Sequence, residues 1–228
     1  METTKKPILK NRYVIAAVVA VLAVIAFQIS DVYVSGTWRY KITVTVETPE
    51  GEKSGSAVYE MANTSSSIKY PNLPEGRNPA TIKGEAVVVD MGQRGTLFAL
   101  IPDQLMFYRV FPTPHGINTD IRAIKYYRTL KSGPVTLSAP NIPTLVTFKD
   151  IKDPKTVTAV NKLNLAATFG AGVTLKDVTI EMTDEPLTER ISDYLEWLSS
   201  LNGHYLHGGM TSRDAPLGLH AGHFKRGE

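Results

Sequence analysis

Residues 37–46, TWRYKITVTV, decide the fold class. Apolar and polar residues alternate along this whole stretch, from Trp38 and Arg39 to Thr45 and Val46. Successive side chains of a β-strand point to opposite faces, so the pattern predicts a strand with one buried and one solvated face. The turn residues 49–52, PEGE, and the stretch after them predict that this strand returns at residues 55–61 as a hairpin.

Further strands are predicted along the chain. Residues 85–90 and 96–101 predict a second hairpin. The consecutive residues Val87, Val88 and Val89 indicate a strand that is covered on both faces and is central in its sheet. Apolar runs predict three more strands, at residues 105–111, 143–148 and 173–182.

Helical periodicity predicts two or three helices. The strongest pattern is at residues 187–201, with a second helix at 119–131 and a short helical stretch at 161–169. Asp153, which precedes a proline, predicts a capped turn, and the polar residues 63–79 predict a long surface loop. The class is therefore α+β, a mainly antiparallel sheet with two or three packed helices, preceded by one N-terminal transmembrane helix.

The predicted transmembrane helix is residues 14–29, VIAAVVAVLAVIAFQI, in which Gln28 is the one polar residue. Such a stretch has no polar face, so it is typical of a helix that contacts lipid. Four basic residues lie within residues 1–12, whereas Ser30 and Asp31 follow the stretch. Because basic flanks stay in the cytoplasm, we expect a cytoplasmic N-terminus and export of everything that follows.

This orientation divides the chain into four parts. Residues 1–12 are a basic cytoplasmic stub, 13–34 a transmembrane anchor or signal segment, and 35–203 an exported α+β domain. Residues 204–228 are a tail rich in glycine and histidine, predicted to be extended or mobile. The alternative to an anchor is a signal peptide cleaved after Ala26, because residues 24–26 fit a signal peptidase site.

The charge and the cysteine content exclude some classes of function. Residues 1–12 carry four of the 25 basic residues and one of the 22 acidic residues, so residues 13–228 carry 21 of each. A neutral domain lacks the excess of positive charge on which nucleic-acid binding depends, so no nucleic-acid partner is expected. The chain has no cysteine, which excludes disulfides and thiol nucleophiles.

The tail histidines are candidate metal ligands. They form two pairs with the same spacing: His204, His207, His220 and His223. Paired imidazoles suit zinc or copper, but no cysteine accompanies them and glycine-rich surroundings leave them unorganised. The alternative is a tail that packs through Tyr205, Leu206 and Leu219, and we expect no metal and no cofactor.

Asp150, Asp153 and His115 are the candidates for acid and base chemistry. The alternative is structural, with Asp153 capping a turn and Asp150 on the surface. The chain lacks the nucleophile elbow, the phosphate-binding P-loop and the zinc protease motif. A serine nucleophile stays open, because catalytic triads assemble in space and not in sequence.

Four segments carry a resemblance to a known group. LVTF at 145–148, DPKTV at 153–157, FGxGVxL at 169–175 and TDEP at 183–186 are similar to segments of small bacterial proteins that have no assigned function. Each such protein has one N-terminal hydrophobic segment and an exported α+β domain. The resemblance covers residues 37–203 and implies a bacterial inner membrane with the main domain in the periplasm. It implies no activity and no site residues.

The expected function is that of a membrane-anchored periplasmic binding or scaffolding domain in the cell envelope. Its expected partners are the lipid bilayer, through residues 14–29, and an envelope protein. The alternatives are a periplasmic hydrolase acting on envelope material, and regulation of a neighbouring membrane protein through the hydrophobic segment. The basic side of the helix at 119–131 fits either an anionic envelope surface or an ordinary solvated face.

Overall fold

The centre of the fold is a long antiparallel hairpin. The computed structural model describes residues 8–30, 33–66, 80–201 and 203–227. The hairpin joins β1 (Tyr33–Thr48) to β2 (Gly51–Ser66), with Tyr33 opposite Ser66 and Thr48 opposite Gly51. The predicted alternation is confirmed, because the apolar residues of β1 from Trp38 to Val46 are at most 5% exposed.

Around this hairpin the described residues form a six-stranded antiparallel sheet. On one side β3 (Thr81–Glu85) pairs with β2, and β10 (Lys225–Arg226) pairs with β3. On the other side β9 (Thr174–Met182) pairs with β1, and β6 (Val135–Thr136) pairs with β9. The strand order is β10-β3-β2-β1-β9-β6.

A second antiparallel sheet has four strands within the described residues. Its order is β4 (Val87–Asp90), β5 (Thr96–Ala99), β7 (Leu145–Phe148) and β8 (Val157–Ala159). The second predicted hairpin is confirmed as β4 and β5. β4 is covered on both faces as predicted, but it lies at the edge of its sheet and not at the centre. Ala86 alone separates it from β3, so one extended segment serves both sheets.

The two sheets share one hydrophobic core. Tyr40 and Tyr59 of the larger sheet pack in the same cluster as Val89 and Leu97 of the smaller sheet. A second cluster covers the opposite face of the smaller sheet, around Phe98.

The helices of the described residues are short except for the first. The predicted α+β class with a mainly antiparallel sheet is confirmed. The helices are α1 (Ile8–Ser30), α2 (Gln104–Val110), α3 (Ile121–Tyr127), α4 (Ala166–Phe169) and α5 (Ile191–Tyr194). Single turns of 3-10 helix occur at Gly92–Arg94, Ala139–Asn141, Pro154–Thr156, Leu198–Leu201, Pro216–Gly218 and Ala221–His223.

Residues 104–110 form α2, so the strand predicted at 105–111 is wrong. The Asp103 side chain accepts a hydrogen bond from the backbone N–H of Met106 at 2.9 Å. This cap satisfies a donor at the start of the helix and outweighs the strand preference of the aromatic residues. Phe107 then packs on Tyr40, with ring centroids 5.1 Å apart.

The helix predicted at residues 187–201 is broken into α5 and a separate 3-10 turn. The buried Glu85 carboxylate accepts hydrogen bonds from the backbone N–H groups of Arg190 and Ile191 at 2.6 and 2.8 Å. These bonds hold the first residues of α5. The helix ends at Leu195, whose φ of −119° and ψ of 72° are not helical.

Two other predicted elements differ in extent. The helix predicted at 119–131 is confirmed as the shorter α3, capped by Asp120 rather than by a residue before it. Residues 63–66 of the predicted loop belong to β2. The remainder of that loop, residues 67–79, lies outside the described residues, as do residues 1–7 of the basic stub.

The C-terminal residues 203–227 pack against the smaller sheet, so the expectation of an extended or mobile tail is wrong. Leu206, Leu219 and Phe224 are buried, and the Phe224 ring meets Phe98 edge to face with centroids 6.3 Å apart. The backbone N–H of Ala86 donates to the Phe224 carbonyl at 2.8 Å. Packing through Leu206 and Leu219, the stated alternative, is confirmed.

α1 coincides with the predicted apolar segment. Large apolar side chains between Tyr13 and Ile25 are exposed, Tyr13 to 72% and Ile25 to 44%. In the part of the chain that the structure describes, no helix combines the length and the apolarity needed to cross a membrane. The transmembrane role of residues 14–29 stays a prediction.

Replacing Phe224 by alanine tests whether the C-terminal segment is part of the core. We expect Phe224→Ala to lower the free energy of unfolding by about 3–5 kcal/mol, because it leaves a cavity among buried aromatic rings. Met210→Ala is the matched control, since Met210 is 82% exposed in the same segment. Urea denaturation measures the free energy of unfolding of both variants. Equally small losses in the two would contradict the packing of the C-terminal segment in the core.

Candidate functional site

The candidate site is a groove of about 610 Å³ that four segments of the chain line. One wall is β3 with Ile82, and the next is the segment from Ile101 to the first turns of α2. The other walls are residues 140–144 and the C-terminal segment with His223 and Arg226. Its surface combines isoleucines and prolines with two arginines, so it offers both apolar contact and positive charge.

Arg109 and Arg226 supply the positive charge from different walls. The Nε–H of Arg109 donates to Asn141 Oδ1 at 2.9 Å, and the Nε–H of Arg226 donates to the Gly222 carbonyl at 2.8 Å. Each bond fixes the plane of its guanidinium through Nε. The terminal N–H groups are then the donors suited to a carboxylate or phosphate.

One carboxylate and one histidine complete the charges of the groove. Asp103 Oδ2 lies 3.5 Å from Arg109 Nη2, a long and exposed contact that contributes little. Burial and the neighbouring His220 lower the pKa of His223, so its ring is neutral near pH 7. Two guanidinium groups therefore face one carboxylate, and the groove has a positive excess.

Two tyrosines of the larger sheet are fully buried in the core. Tyr40 and Tyr59 stack with ring centroids 5.1 Å apart, and neither hydroxyl has a hydrogen-bond partner within the described residues. Burial raises the pKa of Tyr40, which the charge of Arg226 opposes and that of Asp103 reinforces. A buried hydroxyl without a partner costs about 1–3 kcal/mol, which a polar group in this region would offset.

The three residues predicted for acid and base chemistry have structural roles. Asp150 accepts from the backbone N–H of Lys152 at 2.9 Å, and Asp153 accepts from that of Lys155 at 2.9 Å, in the turn after β7. The predicted cap at Asp153 is thus confirmed. The His115 ring does not bond to either aspartate.

His115 pairs instead with Asp120 at the start of α3. His115 Nε2 lies 3.1 Å from Asp120 Oδ1. The same carboxylate binds Arg122 at 3.0 Å and caps α3 through the Ala123 N–H at 2.8 Å. Asp120 is thus already engaged by three donors and is poorly placed to act as a base.

Two of the four tail histidines, His220 and His223, are held by hydrogen bonds to the backbone. His220 Nδ1 accepts from the Gly222 N–H at 3.1 Å, and His223 Nδ1 accepts from the His220 N–H at 3.1 Å. The two rings lie 4.0 Å apart. Among the described residues, no group of three or more histidine and acidic side chains is placed to hold a metal ion.

Sequence reasoning missed the groove residues. Arg109 falls in a stretch predicted to be a strand, and Arg226 in a segment predicted to be mobile. One signal was present: Asp103 precedes the apolar run by the spacing of a helix cap, which would have placed Arg109 on a helix. No sequence signal relates Arg109 to Arg226, because more than a hundred residues separate them.

The half-buried histidines His220 and His223 predict a pH dependence of stability. Burial lowers the pKa of His220 and of His223 below the ordinary 6.5. Below that pH the unfolded chain binds more protons than the folded chain, so the free energy of unfolding should fall as the pH drops from about 7 to about 5. Above it both states are neutral and these residues cause no loss.

Urea denaturation at several pH values measures this effect, and the double variant His220→Gln, His223→Gln should flatten the curve in that window. Carboxylates act at lower pH: Arg94 lowers the pKa of Glu50 to about 2, so its contribution is lost only below its ordinary 4.5. If the free energy of unfolding of the double variant fell with pH as steeply as that of the unchanged protein, His220 and His223 would not be the cause.

No protein family model matches this chain, and neither a curated protein nor a solved structure is significantly similar to it.

Proposed function

We propose that the protein is a membrane-anchored binding protein of the bacterial periplasm, with α1 as its anchor and the groove as its ligand site. The ligand is anionic and has a short apolar body. The observation that carries the binding role is the pair of guanidinium groups, Arg109 and Arg226, on different walls of one groove.

The proposed anchor is supported by the N-terminal sequence. Residues 14–29 form one apolar run, and α1 covers it as a continuous helix of 23 residues. The basic residues before the run favour a cytoplasmic N-terminus and an exported domain. The resemblance of residues 37–203 to small exported bacterial proteins points the same way.

The ligand chemistry follows from the groove walls. Guanidinium N–H groups bind carboxylates and phosphates in a fork, and these bonds are stronger than those between neutral groups. Ile82, Ile101 and Ile142 give apolar contact beside that charge. A ligand that places its anionic group between Arg109 and Arg226 would bury its apolar part against these isoleucines.

Binding of N-acetyl-leucine tests the ligand site, because this probe carries one carboxylate and one short apolar side chain. We expect it to shift the amide signals of groove residues in an NMR titration of the full chain in lipid nanodiscs. N-acetyl-leucinamide, the neutral probe of the same shape, should bind about tenfold more weakly, since it lacks the charge-assisted bonds.

The double variant Arg109→Gln, Arg226→Gln should lose this preference. Arg213→Gln, an exposed arginine of the C-terminal segment, is the matched control and should keep it. Equal binding of acid and amide by the unchanged protein would overturn the proposed ligand class.

A reporter fused after residue 228 tests export. A fluorescent protein that matures only in the cytosol should stay dark in this fusion, because we expect residue 228 to lie on the far side of the membrane. Washing membranes with alkaline carbonate separates an anchor from a cleaved signal: an anchored chain stays in the pellet, whereas a chain cut after Ala26 is released. Fluorescence of the fusion would contradict the proposed compartment.

A further inference from the structure

α3 presents a row of basic residues to solvent. Its inner side, with Ala123, Ile124 and Tyr127, is buried in the domain. The outer side, here named the basic face, is exposed along α3 and the turn after it, and its residues are Arg122, Lys125, Arg128 and Lys131.

The basic face lies at the end of the domain that follows α1. Gly36 of β1 packs against α3: a Cβ atom there would lie 2.6 Å from Ile124 Cγ2 and 2.7 Å from Arg128 Cδ. Gly36 comes six residues after Ser30, where α1 ends. Six residues span at most about 20 Å, so the basic face stays close to the point at which α1 ends.

Within the described residues, Arg122 and Lys131 of the basic face pair with carboxylates. Asp120 binds Arg122 at 3.0 Å, and Asp184 binds Lys131 at 2.7 Å. The second pair is exposed to 72% and 89%, so water screens it and its partners exchange readily. Within the described residues the Arg128 side chain makes no hydrogen bond or ion pair.

We propose that the basic face binds the anionic phospholipid headgroups of the membrane leaflet from which α1 emerges. This inference rests on the proposed anchor and adds a second contact between the domain and the bilayer. Positive side chains near a charged leaflet are attracted to it within about a Debye length, and a link of at most about 20 Å to the end of α1 allows the basic face to approach the leaflet that closely. Tyr126, half-buried between the basic residues, has the amphipathic ring typical of the interface.

The protein has no cysteine, so one introduced cysteine can report the contact in the full chain. The Thr129→Cys variant, labelled with an environment-sensitive dye, is reconstituted in vesicles that contain a headgroup spin-labelled quencher. We expect the dye to be quenched about twofold more in equal parts of phosphatidylglycerol and phosphatidylcholine than in phosphatidylcholine alone. Adding Arg122→Gln and Arg128→Gln should remove this difference.

Ser54→Cys is the control position, because Ser54 is exposed and pairs with Thr45, toward the far turn of the β1–β2 hairpin. A dye at this position should be quenched equally in vesicles with and without phosphatidylglycerol. Equal quenching at Thr129→Cys in both vesicles, with the protein still retained after a carbonate wash, would overturn headgroup binding and leave the anchor standing. Release of the protein by that wash would overturn both proposals.

Discussion

Burial of one face of β1 is the constraint on which the rest of the structure depends. β1 is bonded to β2 along one edge and to β9 along the other, so its backbone groups are satisfied on both sides. Its buried aromatic residues then position two helices. Tyr40 packs on Phe107 of α2, and Trp38 packs on Tyr127 of α3 with centroids 5.0 Å apart. One strand therefore fixes both the helix that carries the groove arginine and the helix that carries the basic face.

Features with a local cause could be predicted from the sequence, and features assembled over long distances could not. The alternation from Trp38 to Val46 reports burial directly, so β1 and its hairpin were predictable. α2 depended on one bond from Asp103 that competes with the strand preference of its aromatic residues. The start of α5 depends on Glu85, about a hundred residues earlier. The groove likewise brings Arg109 together with Arg226, which lies more than a hundred residues later in the chain. Periodicity carries no information about such pairings.

The buried Glu85 carboxylate connects the groove to the rest of the domain. It receives two backbone bonds at the start of α5, and Lys225 Nζ lies 3.8 Å away in β10. A charged group is costly to bury unless hydrogen-bond donors surround it. The start of α5 and β10 can therefore pack next to β3 only in an arrangement that supplies donors to the Glu85 carboxylate. Arg226 follows Lys225 directly, so the place of this groove arginine depends on a carboxylate outside the groove.

β1 and β9 are neighbours in the sheet but lie far apart along the chain, and this has a consequence for biogenesis. Tyr40 pairs with Met182 and Ile42 with Ile180, so β1 gains its second neighbour only after some 140 further residues have been made. At typical translation rates that interval is on the order of ten seconds. During it an apolar strand edge is exposed, and such edges recruit other unfolded chains. A nascent chain of this topology therefore needs a chaperone, or prompt delivery to a translocon, to shield that edge until the partner strand arrives.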